Sequence, residues 1–434
     1  MIVFIPIETT SRELLYKVYL SNTLAQKGLN CYLGSKKSIY FLLNRMTDYV
    51  YLDKGYHKGK TEEIFKLVKD RNGIFISLDE EGAVDFADNR TLLKRYPKEL
   101  FDMVDLVFLW GQAQYNLVKH FISNNSKCVV SGHPRFDLLK PQYQELYRTQ
   151  ALELSKKHGR FILINTNMGF GNNIKGDSFV RLGYNSWFDN IENVISFDKN
   201  KISHIVDLIK YLDSKLNTKI ILRPHPEERL ETYELMLKDC RNVEVLYEGS
   251  VIPWIIACDL MIHPDCTTAI ECQMLGKRPI SYLPPRYDEN LVTNLPVAIS
   301  KVQSKQEIVD YYKNSLFRDA ILEKSDEIIE EYFSYSQSSS TIIAESILSI
   351  VRNKNAKVGK SKLSFRYELI LKYLNAKAKV ADILKSNNLS KNKLKGLTLN
   401  EIKRLLMLMN SKNKTDIVSV KKTGSGLFYF YRIS

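Results

Sequence analysis

The chain has 434 residues, of which 44% are hydrophobic and 26% are charged, and its formal net charge is +14. This length exceeds what one hydrophobic core usually organises, so we expect about two to three domains, and the composition is ordinary for a globular protein, so disorder is not the default expectation. The sequence contains no run of about 18 apolar residues, which excludes a membrane-spanning helix, and its opening residues lack the basic start of a secretory signal.

The excess positive charge lies at the end of the chain. Residues 352–434 hold 20 Lys and Arg against 4 Asp and Glu, a net charge of +16, and the rest of the chain has a net charge of −2. A basic tail on a neutral body indicates adhesion to an anionic membrane surface or an acidic partner, whereas nucleic-acid enzymes more often carry positive charge in the working cleft. We therefore expect no nucleic-acid partner and a cytoplasmic protein, peripheral at the inner face of the cytoplasmic membrane. The 6 cysteines form no CxxC pair, as expected of reduced thiols.

The first part of the chain predicts a parallel α/β sheet. Apolar runs bounded by turn residues predict strands, and residues 12–28 have apolar side chains at helical spacing. The predicted strands are 2–7, 30–35, 73–78, 105–110 and 127–132. We assign residues 1–150 to one Rossmann-like domain.

The second part repeats this alternation. Strands are predicted at 161–166, 219–224, 242–247, 260–263 and 278–283, with helices at 252–259 and 267–276 and further closing helices over 305–350. Residues 151–352 are therefore predicted to form a second Rossmann-like domain. Two such domains would face a central cleft.

The composition changes to Lys, Asn and Ser after residue 352. Residues 362–388 and 397–410 have helical apolar spacing, and residues 427–433 form an aromatic run. Residues 353–434 therefore predict a small, basic, mostly helical appendage. Its apolar faces are expected to dock on the main body or a partner, with membrane insertion as the alternative.

Acidic residues follow the predicted strand 73–78. They are Asp79, Glu80 and Glu81, before Gly82. Ligands of open α/β sheets bind at the carboxyl ends of the strands, so one glutamate is a candidate general base that takes the proton of an acceptor hydroxyl. The alternative is a solvated acidic turn.

A histidine between two prolines follows strand 219–224. Its limited freedom suits a donor aimed at a leaving phosphate, and the neighbouring Arg223 could pair with a phosphate or carboxylate. This histidine is His225. The alternative is that it is an ordinary loop histidine that only bonds the backbone.

Hydroxyl groups open the helix after strand 260–263. Thr267 and Thr268 converge with backbone N–H groups there, an arrangement suited to a phosphate, although an ordinary helix cap explains the same residues. The glycine-bearing loop after residue 166 allows a close backbone approach to a donor. We assign Asn167, Gly169, Gly249 and Ser250 to the donor site as well.

The order of these motifs resembles that of a known enzyme class. Glu80-Glu81-Gly82, His225-Pro226 and Thr267-Thr268 resemble the three motifs of bacterial sialyltransferases and related ulosonate transferases. Separately, PIETTSREL, SLDEEG, FLWG, SGHPRFDLL and ILRPHPEE resemble a bacterial surface carbohydrate biosynthesis family with the two-lobed GT-B fold. The two resemblances together cover about residues 1–350.

The resemblance implies transfer of a sialic, pseudaminic or Kdo-type acid from its CMP ester to a surface glycan of the capsule, lipopolysaccharide or O-antigen. It implies that Glu80 acts as the base, with Glu81 as the alternative because the motif has two glutamates. It also implies that His225 stabilises the departing CMP and that Thr267 and Thr268 hold the phosphate.

The resemblance further implies that the domain of residues 1–150 binds the acceptor, an oligosaccharide or a lipid-linked glycan, near Glu8 and Arg12 after the first strand. It implies that the domain of residues 151–352 binds the donor. A helix-start acid and a surface arginine are the alternative interpretation of Glu8 and Arg12.

Other functions stay open. The sequence has no DxD triplet, and a single phosphate needs no bridging metal, so we expect neither a metal nor another cofactor. Within enzymes, the alternative is a CDP-glycerol or CDP-ribitol phosphotransferase. Outside enzymes, it is a non-catalytic scaffold of a glycan assembly complex. The stereochemical outcome is not determined by these motifs.

Overall fold

The structure of the protein is a computed structural model that describes residues 1–83, 85–86, 88–122, 127–185, 187–299, 301–302, 304–314, 322–354, 369–370, 373, 394, 396–410 and 418–433. The chain forms two compact units: unit 1 from Met1–Gly82, Leu93–Leu146 and Glu330–Ser434, and unit 2 from Ala83–Leu92 and Tyr147–Ile329. Among the described helices, none is both long and apolar enough to cross a bilayer.

The elements alternate between strands and helices, which confirms the predicted α/β class. The strands are β1 (Val3–Ile7), β2 (Cys31–Ser35), β3 (Val50–Asp53), β4 (Ile74–Leu78), β5 (Leu106–Leu109), β6 (Cys128–Val130), β7 (Phe161–Asn165), β8 (Lys219–Arg223), β9 (Val243–Val245), β10 (Leu260–His263), β11 (Pro279–Tyr282), β12 (Lys301–Val302), β13 (Val418–Gly424) and β14 (Leu427–Arg432). The helices are α1 (Thr10–Gln26), α2 (Lys36–Leu43), α3 (Lys60–Asp70), α4 (Arg90–Arg95), α5 (Lys98–Met103), α6 (Gln112–Val118), α7 (Pro134–Asp137), α8 (Glu145–His158), α9 (Asp177–Tyr184), α10 (Ile191–Lys215), α11 (Leu230–Met236), α12 (Val251–Ala257), α13 (Thr268–Met274), α14 (Asn294–Ile299), α15 (Lys305–Lys313), α16 (Leu322–Phe333), α17 (Ser339–Asn353) and α18 (Leu399–Asn410). Short 3-10 helices span Lys119–Phe121, Pro141–Tyr143 and Glu289–Leu291.

Unit 1 is built on an 8-stranded sheet in the order β13-β14-β2-β1-β3-β4-β5-β6. Strands β1 to β6 pair in parallel. Strands such as VFIPI and IFISL are buried at every residue, which explains why they are continuous apolar runs instead of alternating patterns. The five strands predicted for this part of the chain are confirmed, and β3 is an additional strand that the prediction lacked.

The end of the chain completes this sheet. Strand β14 pairs antiparallel with β2, and β13 pairs antiparallel with β14. Phe428 and Phe430 are fully buried, and the amide of Asn30 donates to the Tyr429 hydroxyl over 2.8 Å. The prediction of a separate, mostly helical appendage over 353–434 therefore differs from the structure, because the aromatic run is a sheet strand. The predicted helix over 362–388 lies almost entirely outside the described residues.

Helix α17 also belongs to unit 1, although we predicted that residues 305–350 close the second domain. Ile343, Ala344 and Ile347 are fully buried in the unit 1 core, next to α1. The Asp137 carboxylate accepts hydrogen bonds from the first two backbone N–H groups of this helix at 3.0 and 2.9 Å. Helical periodicity shows which face is apolar but not which core receives it.

Unit 2 is built on a 6-stranded parallel sheet in the order β12-β11-β10-β7-β8-β9. All five strands predicted for this part are confirmed. Asn165 and Arg223 are register partners at the ends of β7 and β8, and β10 pairs with β7 on its other side. The loops after β8, β7 and β10 therefore leave the same edge of the sheet side by side.

Candidate active site

The predicted base and acceptor residues meet at the carboxyl edge of the unit 1 sheet. Glu8 follows β1, Asp53 ends β3, and Glu80 and Glu81 follow β4. They line one cavity with about 80 Å³ of space, whose remaining lining residues are Arg12, Lys36, Lys54, Gly55, His57, Lys60, Thr61, Ile64 and Arg95. The structure thus brings Glu8 and Arg12 together with Glu80 and Glu81, which lie in a segment far away in the sequence.

Glu80 is held in a buried charge cluster. Its carboxylate lies 2.9 Å from the Lys17 ammonium and accepts a short hydrogen bond from the Tyr16 hydroxyl. Burial raises the pKa of Glu80, but the ammonium groups of Lys17 and Lys54 lower it more, so the net shift is downward. The carboxylate is therefore ionised. Its side chain is only 12% exposed, and its oxygen already accepts hydrogen bonds from Lys17 and Tyr16.

Glu81 is the more accessible carboxylate, with 42% of its side chain exposed. It accepts hydrogen bonds from Arg95 at 2.5 Å and from Arg12 at 3.2 Å. Burial raises the pKa of Glu81, and the guanidinium groups of Arg95 and Arg12 reverse this and lower it. Between the two glutamates, Glu81 is thus the one that a ligand in the cavity can reach.

Glu8 bridges two lysines, with Lys36 at 2.5 Å and Lys54 at 2.8 Å. Burial raises the pKa of Glu8, but the bonds to these lysines bring it down to about 2. Glu8 therefore stays ionised at neutral pH and holds two cations at the cavity wall.

The sequence reasoning missed the residues that organise this cavity. Glu13 accepts from the backbone N–H groups of Glu8 and Thr9, so it caps the start of α1. It also bonds Lys17 over 2.7 Å, and both side chains are almost fully buried. The available signal was a pair of charges four positions apart on the apolar face of a predicted helix.

Arg223 lies at the end of β8 in unit 2 and is buried. Its guanidinium donates to the Gly249 carbonyl over 2.6 Å and lies 4.5 Å from the ring centre of Tyr247. Burial lowers the pKa of Arg223 from its ordinary value. Within the part of the chain that the structure describes, its Nε has no hydrogen-bond partner. A buried guanidinium with an unused donor suits an anionic ligand.

His225 is exposed on the same loop. The Nδ1 of its ring accepts from the Glu227 backbone N–H at 3.3 Å. The backbone N–H of His225 donates to the Glu228 carboxylate at 3.0 Å. A neutral imidazole that accepts at Nδ1 carries its hydrogen on Nε2, so the outer nitrogen is a donor.

The hydroxyl pair predicted to hold phosphate follows β10. Thr268 accepts from the Asn165 amide over 3.0 Å, and Asn167 donates to the Asp265 carbonyl over 3.1 Å. Thr267 precedes the helix and makes no side-chain capping bond. These contacts tie the loop after β7 to the loop after β10.

The other predicted donor residues border the same loops. A side chain at Gly169 would approach Glu227 at 3.6 Å, and Gly249 has a φ of +61°, a conformation that favours glycine. Ser250 precedes α12 without a side-chain capping bond.

Comparison with known proteins gives the fold. No family model matches the sequence, and no curated protein sequence matches it. UDP-GlcNAc 2-epimerase from Methanocaldococcus jannaschii is 11% identical, with a TM-score of 0.52 over 81% of this chain and 100% of that one. The fold is of the GT-B type. S. aureus MnaA with UDP is 13% identical (TM-score 0.51, 83% of this chain and 99% of that one). A variant of the wall teichoic acid polymerase TagF with CDPG is 12% identical (TM-score 0.51, 82% of this chain and 90% of that one).

Proposed function

We propose that the protein is a glycosyltransferase that moves a sialic-acid-like or Kdo-like sugar from its CMP ester to a hydroxyl of a bacterial surface glycan. The observation that carries this proposal is the edge of the unit 2 sheet. There Arg223 ends β8, His225 follows it, and Thr267 and Thr268 follow β10, with β7 between the two strands. A buried guanidinium, an Nε2–H donor and a hydroxyl-bearing helix start are groups that suit a single phosphate.

The proposed chemistry assigns each group one step. The Glu81 carboxylate takes the proton of the acceptor hydroxyl while that oxygen bonds the anomeric carbon of the donor. The bond from the anomeric carbon to the phosphate oxygen breaks, and His225 donates to the departing CMP. Glu80 holds Lys17 and Tyr16 in place. This assignment moves the base from Glu80 to Glu81, because Glu81 is the accessible carboxylate.

The structural neighbours support a nucleotide ligand in general terms. They include a UDP-GlcNAc 2-epimerase, MnaA with UDP and a TagF variant with CDPG. The likeness to TagF favours a second candidate, a CDP-glycerol or CDP-ribitol phosphotransferase, which would use the same histidine and phosphate-binding groups. Independence from metal ions and peripheral attachment to an anionic membrane through residues 352–434 remain predictions.

A thermal-shift comparison of CMP, CDP, UDP and GDP tests the donor class, because a ligand that binds only the folded state stabilises it. We expect CMP to raise the melting temperature of the wild type and of Arg241→Ala, an exposed control, but not of Arg223→Ala. Stabilisation by UDP or GDP alone would contradict the proposal. Release of CMP only from CDP-glycerol or CDP-ribitol would favour the second candidate.

Activity separates an enzyme from a scaffold. We expect Glu81→Gln to reduce CMP release from a CMP-sugar by roughly 10²-fold or more, since the general base is lost. A scaffold would keep its function in this variant. Full activity after chelation of metals is expected as well, and its loss would count against the proposed phosphate site.

A further inference from the structure

Glu228 is a fully buried carboxylate three residues after His225. It lies in the loop between β8 and α11, where it is the last residue of the motif ILRPHPEE, and it is not among the predicted site residues. Burying a carboxylate is costly unless several hydrogen bonds satisfy it. Its partners therefore show what the surrounding structure gains from it.

Four donors converge on this carboxylate. Oε1 accepts from the Thr166 hydroxyl at 2.7 Å, from the Met168 backbone N–H at 3.0 Å and from the His225 backbone N–H at 3.0 Å. Oε2 accepts a short bond from the Tyr233 hydroxyl. Two of these donors flank Asn167 in the loop after β7, and the third belongs to His225 in the loop after β8.

The two loops are joined further along. The backbone N–H of Ile174 donates to the Glu227 carbonyl over 2.8 Å, and that of Arg229 donates to the Asn172 carbonyl over 3.0 Å. The Asn172 side chain returns a bond to the Arg229 carbonyl over 2.8 Å. Hydrogen bonds thus join the glycine-bearing loop after β7, which contains Asn167, to the histidine loop after β8, which contains His225. Glu228 is buried where the two loops meet.

We propose that Glu228 is a positioning residue that fixes the histidine loop and the Asn167 loop as one preformed phosphate site for the donor nucleotide. The inference rests on the proposed function and names the group that sets the geometry of its donor site. Glu228 acts through the backbone of its partners and does not touch the reacting atoms. A site formed before binding spares the ligand the entropy cost of ordering two loops.

The chemistry of the carboxylate predicts which substitutions are tolerated. A glutamine has the same shape as a glutamate. Its carbonyl oxygen can accept the three hydrogen bonds that Oε1 accepts, and its NH₂ group can donate to the Tyr233 oxygen. Burial raises the pKa of Glu228, although bonds from Tyr233 and Thr166 lower it, so a neutral group suits this place. An alanine removes the acceptor of all four donors.

The test measures CMP affinity by calorimetry and CMP release kinetics in the full-length protein. We expect Glu228→Ala to weaken CMP binding roughly tenfold or more, and Glu228→Gln to stay within about threefold of the wild type. Glu234→Ala is the matched control, because this exposed glutamate lies on α11. Wild-type affinity in a folded Glu228→Ala protein would overturn the proposal. Glu228→Gln with normal binding and no turnover would assign proton transfer to the carboxylate and would also overturn it.

Hydrogen exchange without nucleotide separates this inference from the proposed function. If the wild type fails to bind CMP, the proposed function fails, but Glu228→Ala must still accelerate exchange in residues 166–168 and 225–228 and leave unit 1 unchanged. Thr166→Val removes a single donor and is expected to give a smaller change in the same residues, which keeps the test available if the alanine variant does not fold. Unchanged exchange in these residues would overturn the inference.

Discussion

Lys17 is almost fully buried, and the carboxylates around it explain why it is tolerated there. Its ammonium lies 2.7 Å from Glu13 and 2.9 Å from Glu80, and it donates to the Pro6 carbonyl over 2.6 Å. Removing one member of a buried ion cluster leaves the others uncompensated, which costs far more than losing an exposed pair. The cluster therefore ties α1 to the loop that holds both candidate bases.

Replacing this lysine tests the cluster. We expect Lys17→Met to lower the free energy of unfolding by about 3–5 kcal/mol, measured by chemical denaturation, because Glu13 and Glu80 lose their shared cation. Lys27→Met is the control: its pair with Glu345 is exposed, and its loss is expected to cost at most about 1 kcal/mol. Equal losses in the two variants would contradict the role of the cluster.

Asp53 makes stability depend on pH. Burial raises its pKa to about 6, although the backbone of Lys54, the ammonium groups of Lys36 and Lys54, and the Tyr51 hydroxyl lower it. The folded state therefore binds a proton more tightly than the unfolded state, so this group stabilises the fold at low pH and loses that effect as pH rises through about 6.

We expect Asp53→Asn to lack the fall in the free energy of unfolding that the wild type shows as pH rises through about 6. The stability of the variant relative to the wild type should rise between about pH 4 and pH 6 and then level off at about 1–3 kcal/mol. Denaturation curves across this range measure it, with the exposed Asp70→Asn as control. A constant difference at every pH would mean that Asp53 has an ordinary pKa.

At the scale of elements, the contact between β2 and β14 depends on the absence of a side chain at Gly34. A Cβ there would lie 2.5 Å from the Gly426 carbonyl oxygen and 2.8 Å from the Leu427 side chain. Because the first of these is backbone, the strand itself must move. We expect Gly34→Ala to destabilise the protein by about 1–3 kcal/mol in thermal or chemical unfolding.

Gly183 provides the matched control. It lies in α9, and nothing lies within 4 Å of an added Cβ. Alanine is favoured over glycine in helices, so Gly183→Ala should stabilise by up to about 1 kcal/mol. A neutral Gly34→Ala would show that the close contact between β2 and β14 is not required.

The sequence predicted the central strands of both sheets because they are buried on both faces and read as unbroken apolar runs. It missed β3, where Asp53 ends a short strand, and β13 and β14, where lysines precede the aromatic run. It placed Glu8 and Arg12 after the first strand and Glu80 and Glu81 after strand 73–78; these four residues line one cavity, and their roles stay predictions. Lys17 and Glu228 were missed because their roles depend on partners that only the fold brings together.

At the scale of the whole molecule, the basic segment over residues 352–434 also contains β13 and β14, two strands of the unit 1 sheet. A direct test of membrane adhesion by the basic tail would delete residues 353–434 and measure binding to anionic vesicles and to CMP. That deletion removes β13 and β14, whose Leu427, Phe428 and Phe430 are fully buried in unit 1. We therefore expect the truncated chain to lose the cooperative unfolding of unit 1, so that truncation cannot report on charge alone.

Neutralising charge without removing strands gives the cleaner experiment. Residues 357–395 contain 10 lysines, all outside the described residues, and glutamine at these positions leaves β13, β14 and α18 intact. Each lysine near an anionic surface contributes about 1 kcal/mol, and salt screens the effect. We expect the variant to bind phosphatidylglycerol vesicles at least roughly tenfold more weakly than the wild type at low salt, with an unchanged melting temperature and unchanged CMP binding. Phosphatidylcholine vesicles serve as the control, and undiminished binding to anionic vesicles would place the adhesive surface elsewhere on the protein.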